Sequence, residues 1–367
     1  MPEPHAPRRE RLRAAITARG ADAALITCLV NVRYLTGLAS THAALLLPVE
    51  GTPVLATDSR YTLTAARECP DTELVTTRLA ETTLAELAST RQYHRLAFEA
   101  HEVTVERYDA LKKAGSAELV PLGKAVEDLR IVKDEEEIAL LARACAITGE
   151  AFDAVVPRIQ PGVTERDLAV AIEHAMVNAG AEKPAFDTIV ASGPHGAIPH
   201  HAPGNRELAV GDLVTIDCGA RYAGYHADMT RTVALGRAAN WQREIYELVA
   251  QAQQAGIEAA VPGAAIADVD AAARDLIAEA GHGDHFGHGL GHGVGLEIHE
   301  APMLGRDRPG KLIDRVPVTV EPGVYLPGLG GVRIEDTLVV RHGAGPAAPR
   351  DLLTTTKTAT PQELLVL

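Results

Sequence analysis

From residue 23 to about residue 125, short apolar runs alternate with stretches that carry helical spacing. Ala23–Val30 and Ala43–Pro48 are apolar runs of strand length, and Thr52–Thr57 can pair beside them. Arg60–Glu68, Glu81–Ser89 and Thr104–Lys113 suit helices, while Arg95–Phe98 and Glu118–Pro121 read as further strands. Strands alternating with helices predict an α/β layer domain. Residues 1–125 contain no clustered His, Cys or acidic positions, so no chemistry is assigned to them.

After Gly123–Arg130 the pattern changes. Asp134-Glu135-Glu136-Glu137 sits where a helix begins, and negative charge there is favoured by the helix dipole. That helix runs to about Val155, with Ile138, Leu141, Ala142 and Cys145 on its buried side. Pro161-Gly162 ends the unit. Thr164 is an N-cap candidate for a helix over Glu165–Ala179, stopped at Gly180. A strand near Asp187–Ala191, a loop from Gly193 to Gly204, and helices over Trp241–Ala260 and Ala267–Ala280 complete an α+β pattern, with helices segregated from a largely antiparallel sheet. The expected domains are therefore 1–125 and 126–367. The tail after Arg341 is poorly patterned.

Two hairpins in the second half share an unusual feature. One reads Val214-Thr215-Ile216-Asp217, a turn with Gly224, then Asp228 through Val233; the other reads Val316 through Glu321, a Pro/Gly-rich turn, then Val332-Arg333-Ile334-Glu335. With turns centred on Tyr222–Ala223 and on Gly328, Asp217 faces Asp228 and Glu321 faces Glu335. Opposed side chains on paired strands have Cβ atoms only ~5 Å apart, and like charges placed so are destabilising. Solvated surface acids are the usual state of an Asp pair. Here the acids alternate with apolar positions, Val214, Ile216 and Cys218 in one hairpin and Val316, Val318 and Val320 in the other. Two copies of one unfavourable arrangement point to a cation between the carboxylates.

Between the hairpins lies Gly281 to Glu300, with five of the chain's 15 histidines. Its glycines never fall into GxGxxG, and His299-Glu300 is not followed by the second histidine of HExxH. A Gly-shaped loop presenting one or two histidines to a metal fits best. Carboxylates with an imidazole suit Mn²⁺, Co²⁺ or Zn²⁺. Two such ions roughly 3.5–4 Å apart can share a hydroxide and polarise a carbonyl, which is hydrolytic chemistry. The motifs hold few cations to receive a phosphate ester, so an amide substrate is favoured.

Composition narrows the class. The chain has 367 residues, enough for two or three domains of roughly 100–200 residues. A net charge of −14 argues against a nucleic-acid partner. No apolar run reaches the ~18 residues of a membrane span. The N-terminal Arg8, Arg9, Arg11 and Arg13 precede no long apolar core, so they are expected to decorate a short surface helix rather than a signal peptide. Cys28, Cys69, Cys145 and Cys218 are scattered, which suggests reduced thiols in a cytoplasmic protein.

Five separated phrases, in order, resemble the pita-bread metallopeptidases: Thr215-Ile216-Asp217-Cys218-Gly219, Gly224 through Thr232, Gly287 through Gly295, Val320-Glu321-Pro322-Gly323-Val324-Tyr325 and Val332 through Thr337. The nearest branch holds the Xaa-Pro aminopeptidases and Xaa-Pro dipeptidases (prolidases). Asn31 through Gly37 and Thr57-Asp58-Ser59-Arg60-Tyr61 resemble the creatinase-type N-terminal domain of that branch, and Arg130-Ile131-Val132-Lys133 resembles the join. The resemblance implies an α/β creatinase-type domain followed by an α+β pita-bread catalytic domain. It implies metal ligands Asp217, Asp228, His292, Glu321 and Glu335, with Asp228 and Glu335 bridging two divalent ions. Glu321 would also shuttle a proton. His200, with His201 beside it as a rival, and His299 would meet substrate. Arg333 would lie near the site, and His288 matches a histidine of less defined role.

The activity so implied is hydrolysis of Xaa-Pro bonds through a hydroxide bridging two metals. Xaa-Pro aminopeptidase is the first reading and dipeptidase the alternative, with manganese as the metal, cobalt or zinc as substitutes, and a homodimer as the assembly. Creatinase shares the fold but lacks this ligand set, methionine aminopeptidase usually lacks the N-terminal domain, and non-catalytic homologues typically lose ligands.

Overall fold

A computed structural model describes residues 5–342 and 351–367. Residues 1–4 of the arginine-rich N-terminal stretch and residues 343–350 of the weakly patterned tail lie outside the described residues. The chain divides at Arg130/Ile131 into two compact units.

The first unit is an α/β layer. Six strands, β1 (Ala23–Ile26), β2 (Ala43–Pro48), β3 (Val54–Thr57), β4 (Glu73–Thr76), β5 (Arg95–Phe98) and β6 (Glu118–Pro121), form one mixed sheet in the order β4-β3-β2-β1-β5-β6. Four expectations change here. The helix α1 (His5–Ala18) is not decorated by all its arginines: Arg8 and Arg9 are buried, donating to Tyr34 O at 3.2 Å and Leu35 O at 2.7 Å. The apolar run read as a strand to Val30 stops at Ile26, and α2 (Leu29–Thr36) follows, closed by Gly37 in the left-handed region. Its β-branched residues favour strand locally, so tertiary packing overrides propensity. Edge strand β4 was missed because half-exposed Glu73–Thr76 carries little apolar signal. Finally, folding does bring two acids of this unit together: buried Glu99 accepts from Thr27 N, Cys28 N and Asn31 Nδ2, and Glu127 Oε1 accepts from the same Asn31 Nδ2 at 2.7 Å.

The second unit repeats one construction twice. Helices α3 (Glu135–Val155) and α4 (Glu165–Asn178) pack on a sheet of β7 (Ile189–Ser192), β8 (Leu213–Cys218) and β9 (Met229–Ala234), ordered β9-β8-β7. Asp134 and Glu137 close a capping box that starts α3, and the Thr164 side chain caps α4. Phe152, Leu168 and Ile172 pack against Val214, Ile216 and Cys218. Helices α5 (Asn240–Ala259) and α6 (Ile266–Glu279) cover the second sheet. That sheet contains β10 (Gly291–Gly293), β11 (Glu300–Leu304), β12 (Val316–Val320) and β13 (Asp336–Val340), with the hairpin Gly323–Leu326/Gly330–Arg333 extending β12 and β13. Here Val249 and Val269 meet Val316, Val318 and Val320. In both halves helices cover the apolar strand face, so the acids are left on the other.

The registers correct one expectation and bear out another. Cys218 pairs with Met229, Asp217 with Thr230 and Tyr222 with Tyr225. The turn is therefore Ala223–Gly224, both at positive φ, one position later than expected. A two-residue hairpin of this hand needs positive φ at both central positions, and only this placement uses Gly224 as one of them. Asp217 thus faces Thr230, and Asp228 stands diagonally to it. In the second hairpin Val320 pairs with Asp336 and Gly323 with Arg333, one continuous register about Gly328 that sets Glu321 opposite Glu335.

The strands that carry these acids are braced by a buried ion pair. Arg231 Nη2 meets Asp336 Oδ1 at 2.6 Å, and Arg231 Nη1 donates to Glu335 O at 2.6 Å. Gln253 and Thr354 donate to the same Asp336 carboxylate. Removing one partner of a buried pair leaves an uncompensated charge, so Arg231→Ala is expected to lose roughly 3–5 kcal/mol in denaturant unfolding. The described part of the tail is also ordered by pairing: Ala234 N donates to Leu365 O and Leu367 N to Ala234 O, both at 2.9 Å.

Candidate active site and metal centre

All five expected ligands fall within the second unit and line one cleft. Asp217 is the penultimate residue of β8, Asp228 precedes β9, His292 is the centre of β10, Glu321 follows β12, and Glu335 precedes β13. The histidine is carried by a strand and not by the loop expected from the sequence. Its flanking glycines explain why: a Cβ at Gly291 would sit 2.0 Å from Thr319 O, and one at Gly293 2.3 Å from Ala301 O. Only glycine lets β10 lie this close to both neighbours.

The electrostatics are those of a cation-binding cluster. Asp217, Asp228, His292 and Glu335 are buried. Asp228, His292 and Glu335 offer ligand atoms all within 4.8 Å of one another. His292 Nδ1 lies 3.0 Å from Gly293 O, an acceptor, so Nδ1 carries the proton and Nε2 is bare in the neutral ring. Burial holds this imidazole down at about 4. The bare Nε2 faces Glu321 Oε1 at 3.4 Å and Asp228 Oδ2 at 3.5 Å, so three potential ligand atoms converge there. Burial first, then mutual repulsion, raises the Asp228 and Glu335 carboxyls well above the usual range. Burial pushes Glu321 up to about 8. Asp217 Oδ1 is buried with no hydrogen-bond partner. Four carboxylates, an unprotonated imidazole nitrogen and an orphaned carboxylate oxygen are a donor set that divalent cations fit.

Neighbouring groups hold the ligands. Thr230 Oγ1 donates to Glu335 Oε2 at 2.7 Å, and Thr319 Oγ1 approaches Glu321 Oε1 at 3.3 Å. Arg333 lies on the site face as expected, with Nη2 2.7 Å from Asp217 Oδ2. Its Nη1 donates to Tyr325 Oη at 3.1 Å, and Tyr325 Oη lies 2.8 Å from His288 Nε2. His288 Nδ1 is 2.8 Å from Gly289 O, so its proton sits there and Tyr325 donates to Nε2. Tyr325 was missed by sequence reasoning, although it alternates with Glu321 and Gly323 on the site face. A Cβ at Gly323 would meet the Tyr325 hydroxyl at 2.5 Å, which is a recognisable reason for that glycine.

His299 lines the cleft with its ring centroid 4.4 Å from that of His292. Burial lowers its pKa. The pair at 200–201 separates: His200 lines the cleft, whereas His201 Nε2 turns to Glu165 Oε2 at 2.9 Å. The cleft holds about 1190 Å³ and is walled further by Phe186, Ile298 and Met303.

Such a fold and cleft define a hydrolytic metalloenzyme of two-domain pita-bread architecture, and sequence comparison agrees. Residues 139–342 match the model of metallopeptidase family M24, and residues 8–132 match the creatinase/prolidase N-terminal domain. The chain belongs to metallopeptidase family M24. It is 39% identical over 362 residues to an uncharacterized peptidase of Bacillus subtilis (strain 168), covering 98% of this chain and 99% of the relative. It is 46% identical over 234 residues to a Xaa-Pro dipeptidase of Pyrococcus furiosus, covering 64% of this chain and 67% of that one. Among solved structures, a Xaa-Pro dipeptidase from Bacillus anthracis superposes with TM-score 0.93 at 36% identity, over 99% of this chain and 100% of that chain. An X-Pro aminopeptidase from Thermotoga maritima gives 0.88 at 34%, over 98% and 99%.

Proposed function

We propose that this chain is a binuclear metallo-exopeptidase that hydrolyses Xaa-Pro bonds, acting as an Xaa-Pro aminopeptidase. The observation that carries the reading is the convergence of four acids and the bare His292 Nε2 in one buried cluster within an open cleft. Asp217, Asp228, His292, Glu321 and Glu335 would hold two divalent ions. Bound there, the ions supply Lewis acidity and a hydroxide of lowered pKa. Manganese suits the mainly oxygen ligand set, and cobalt or zinc can replace it.

The side chains divide the remaining work. Glu321 takes a proton from the attacking water as its oxygen bonds to the carbonyl carbon, and delivers it to the prolyl nitrogen as the C–N bond breaks. His200 and His299 hydrogen-bond the scissile carbonyl, where negative charge develops. Arg333 holds Asp217 in place, and Tyr325 fixes the tautomer of His288 on the substrate side. A tertiary Xaa-Pro amide has no N–H to offer, so recognition falls on the ring and the carbonyl.

Proline specificity is supported by the names of the Pyrococcus, Bacillus anthracis and Thermotoga relatives. The cleft, about 1190 Å³ and open to solvent, has room for a peptide longer than two residues, as the aminopeptidase reading requires. The dipeptidase alternative is favoured by two of those names. A cytoplasmic homodimer is the proposed setting. Among the described residues no helix is long and apolar enough to cross a membrane.

The test pairs elemental analysis with two substrates. A metal-loaded enzyme that cleaves an X-Pro-Y peptide and leaves Gly-Pro intact has the proposed activity. The reverse preference assigns a dipeptidase, and hydrolysis of neither, at full metal content, overturns the Xaa-Pro assignment.

A further inference from the structure

We infer that Glu165 is a positioning residue for the cleft: its carboxylate pins both ends of the Ser192–Gly204 loop and so aims His200 at the substrate. This rests on the reading that His200 meets substrate. Glu165 opens α4 directly after its N-cap Thr164 and is fully buried. A buried carboxylate persists only when donors satisfy it.

Glu165 takes its donors from both sides of the loop. Oε1 accepts from Ser192 N at 2.9 Å, Ser192 Oγ at 2.7 Å and His195 Nδ1 at 2.9 Å. Oε2 accepts from His201 Nε2 at 2.9 Å and Gly204 N at 3.2 Å. Burial acts to raise this acid, but the bonds from His201, Ser192 and His195 prevail and hold it at about 2. The ionised group can only accept, so the protons sit on His195 Nδ1 and His201 Nε2. Backbone bonds close the same junction, from Glu165 N to Arg206 O and from Arg166 N to Gly204 O, both 3.0 Å.

The far end of the loop is held from the metal side. Arg333 Nη1 donates to Pro199 O at 3.2 Å. Gly196 rests on Gly331, where a Cβ would meet Gly196 O at 2.2 Å. His200 lies between these two anchorages, exposed toward the cleft. Its own neighbour His201 is committed to Glu165, so the two imidazoles leave the chain with different destinations. The direction of His200 is inherited from the loop backbone, and that backbone is fixed through Glu165.

Glu165, His195 and His201 have ligand atoms within 4.8 Å of one another, which is also the geometry of a small metal site. The five donors favour a hydrogen-bonded clasp, because Ser192 N and Gly204 N already occupy the oxygens an ion would need.

The test uses the metal-loaded full chain and the variants Glu165→Gln, His201→Ala and His200→Ala, with Glu165→Gln/His200→Ala to close a cycle. Glu165→Gln keeps the shape but replaces one accepting oxygen with a donor. Misplacing a substrate-contacting group by about 1 Å can cost up to about 10²-fold, so kcat on the X-Pro-Y peptide is expected to fall about 10–100-fold. The loss should fall on kcat more than on KM. In the His200→Ala background the same substitution is expected to change kcat less than about twofold, since residues acting as one unit are not additive. His201→Ala, which removes one donor only, should fall between wild type and Glu165→Gln.

Hydrogen exchange across Ser192–Gly204 provides a readout independent of turnover and is expected to accelerate in Glu165→Gln while β8 and β9 stay protected. Equal losses in both His200 backgrounds, unchanged exchange in the loop, or one fewer metal ion bound by Glu165→Gln than by wild type would each overturn the clasp. A wild-type enzyme inert toward the peptides, with the exchange difference present, would sink the Xaa-Pro reading and leave the clasp standing.

Discussion

Asp228→Asn is expected to abolish peptide hydrolysis while making the metal-free protein more heat-stable. The activity loss follows from the place of Asp228, within 3.5 Å of His292 Nε2 and in the same cluster as Glu335. An amide is a poorer ligand for a divalent cation than a carboxylate, and losing several kcal/mol of transition-state stabilisation lowers kcat by about 10³-fold or more. Bound metal should fall below that of the wild type by elemental analysis. The stability gain follows from the charges. Burial and the neighbouring Glu335, Asp217 and Glu321 all penalise ionised Asp228. With no metal present, removing that charge relieves the penalty. A gain of about 1 kcal/mol raises the melting temperature by about 2–4 °C for a unit of this size. Glu335→Gln should behave alike, since its carboxyl is raised by the same causes. Wild-type turnover at full metal content in either variant would remove the assignment of the centre.

Stripping the metal is expected to make the protein's stability fall between about pH 6.5 and pH 8. In the metal-free fold Glu321 holds its proton up to about 8, whereas an ordinary glutamate releases it near 4.5. Across that window the unfolded chain binds fewer protons than the folded one, so unfolding free energy decreases as pH rises. Asp228 and Glu335, also raised, act with the same sign. His292, His288 and His226 sit near 4 because of burial, so they act with the opposite sign around pH 6.5, where unfolded histidine gains its proton, and their effect fades toward pH 8, leaving the carboxyls to dominate the window. Divalent metal should reverse the trend. It binds the deprotonated ligands and releases protons, so affinity climbs with pH. At a hundredfold excess over its dissociation constant a ligand adds about 2.7 kcal/mol. Scanning calorimetry with and without manganese at pH 6.5 and pH 8 reads both effects. A metal-free protein that gains stability over this interval would contradict the charge cluster described above.

The candidate ligands were legible because their evidence is local. In each hairpin acids alternate with apolar residues, and a period of two places them on one face whatever the rest of the chain does. Glu321 and Glu335 could even be paired, since Gly328 marks the centre of a register that runs unbroken on both sides. The same reasoning missed by one position at Asp217, because the choice between Tyr222–Ala223 and Ala223–Gly224 depends on backbone dihedrals that residue types only bias.

Alternation and the ordered phrases were enough to name the five candidate ligands, the two-layer character of the first unit and the family. Tertiary structure alone decided that His200 and not His201 enters the cleft, that Tyr325 links Arg333 to His288, and that Arg8 and Arg9 are interior. Each of these depends on which buried acceptor lies within about 3 Å, and partners such as Glu165 and His201, or Arg333 and Asp217, stand far apart in the chain. Side-chain direction along a strand is set by the strand itself, whereas the satisfaction of a buried charge is set by whatever folding brings beside it.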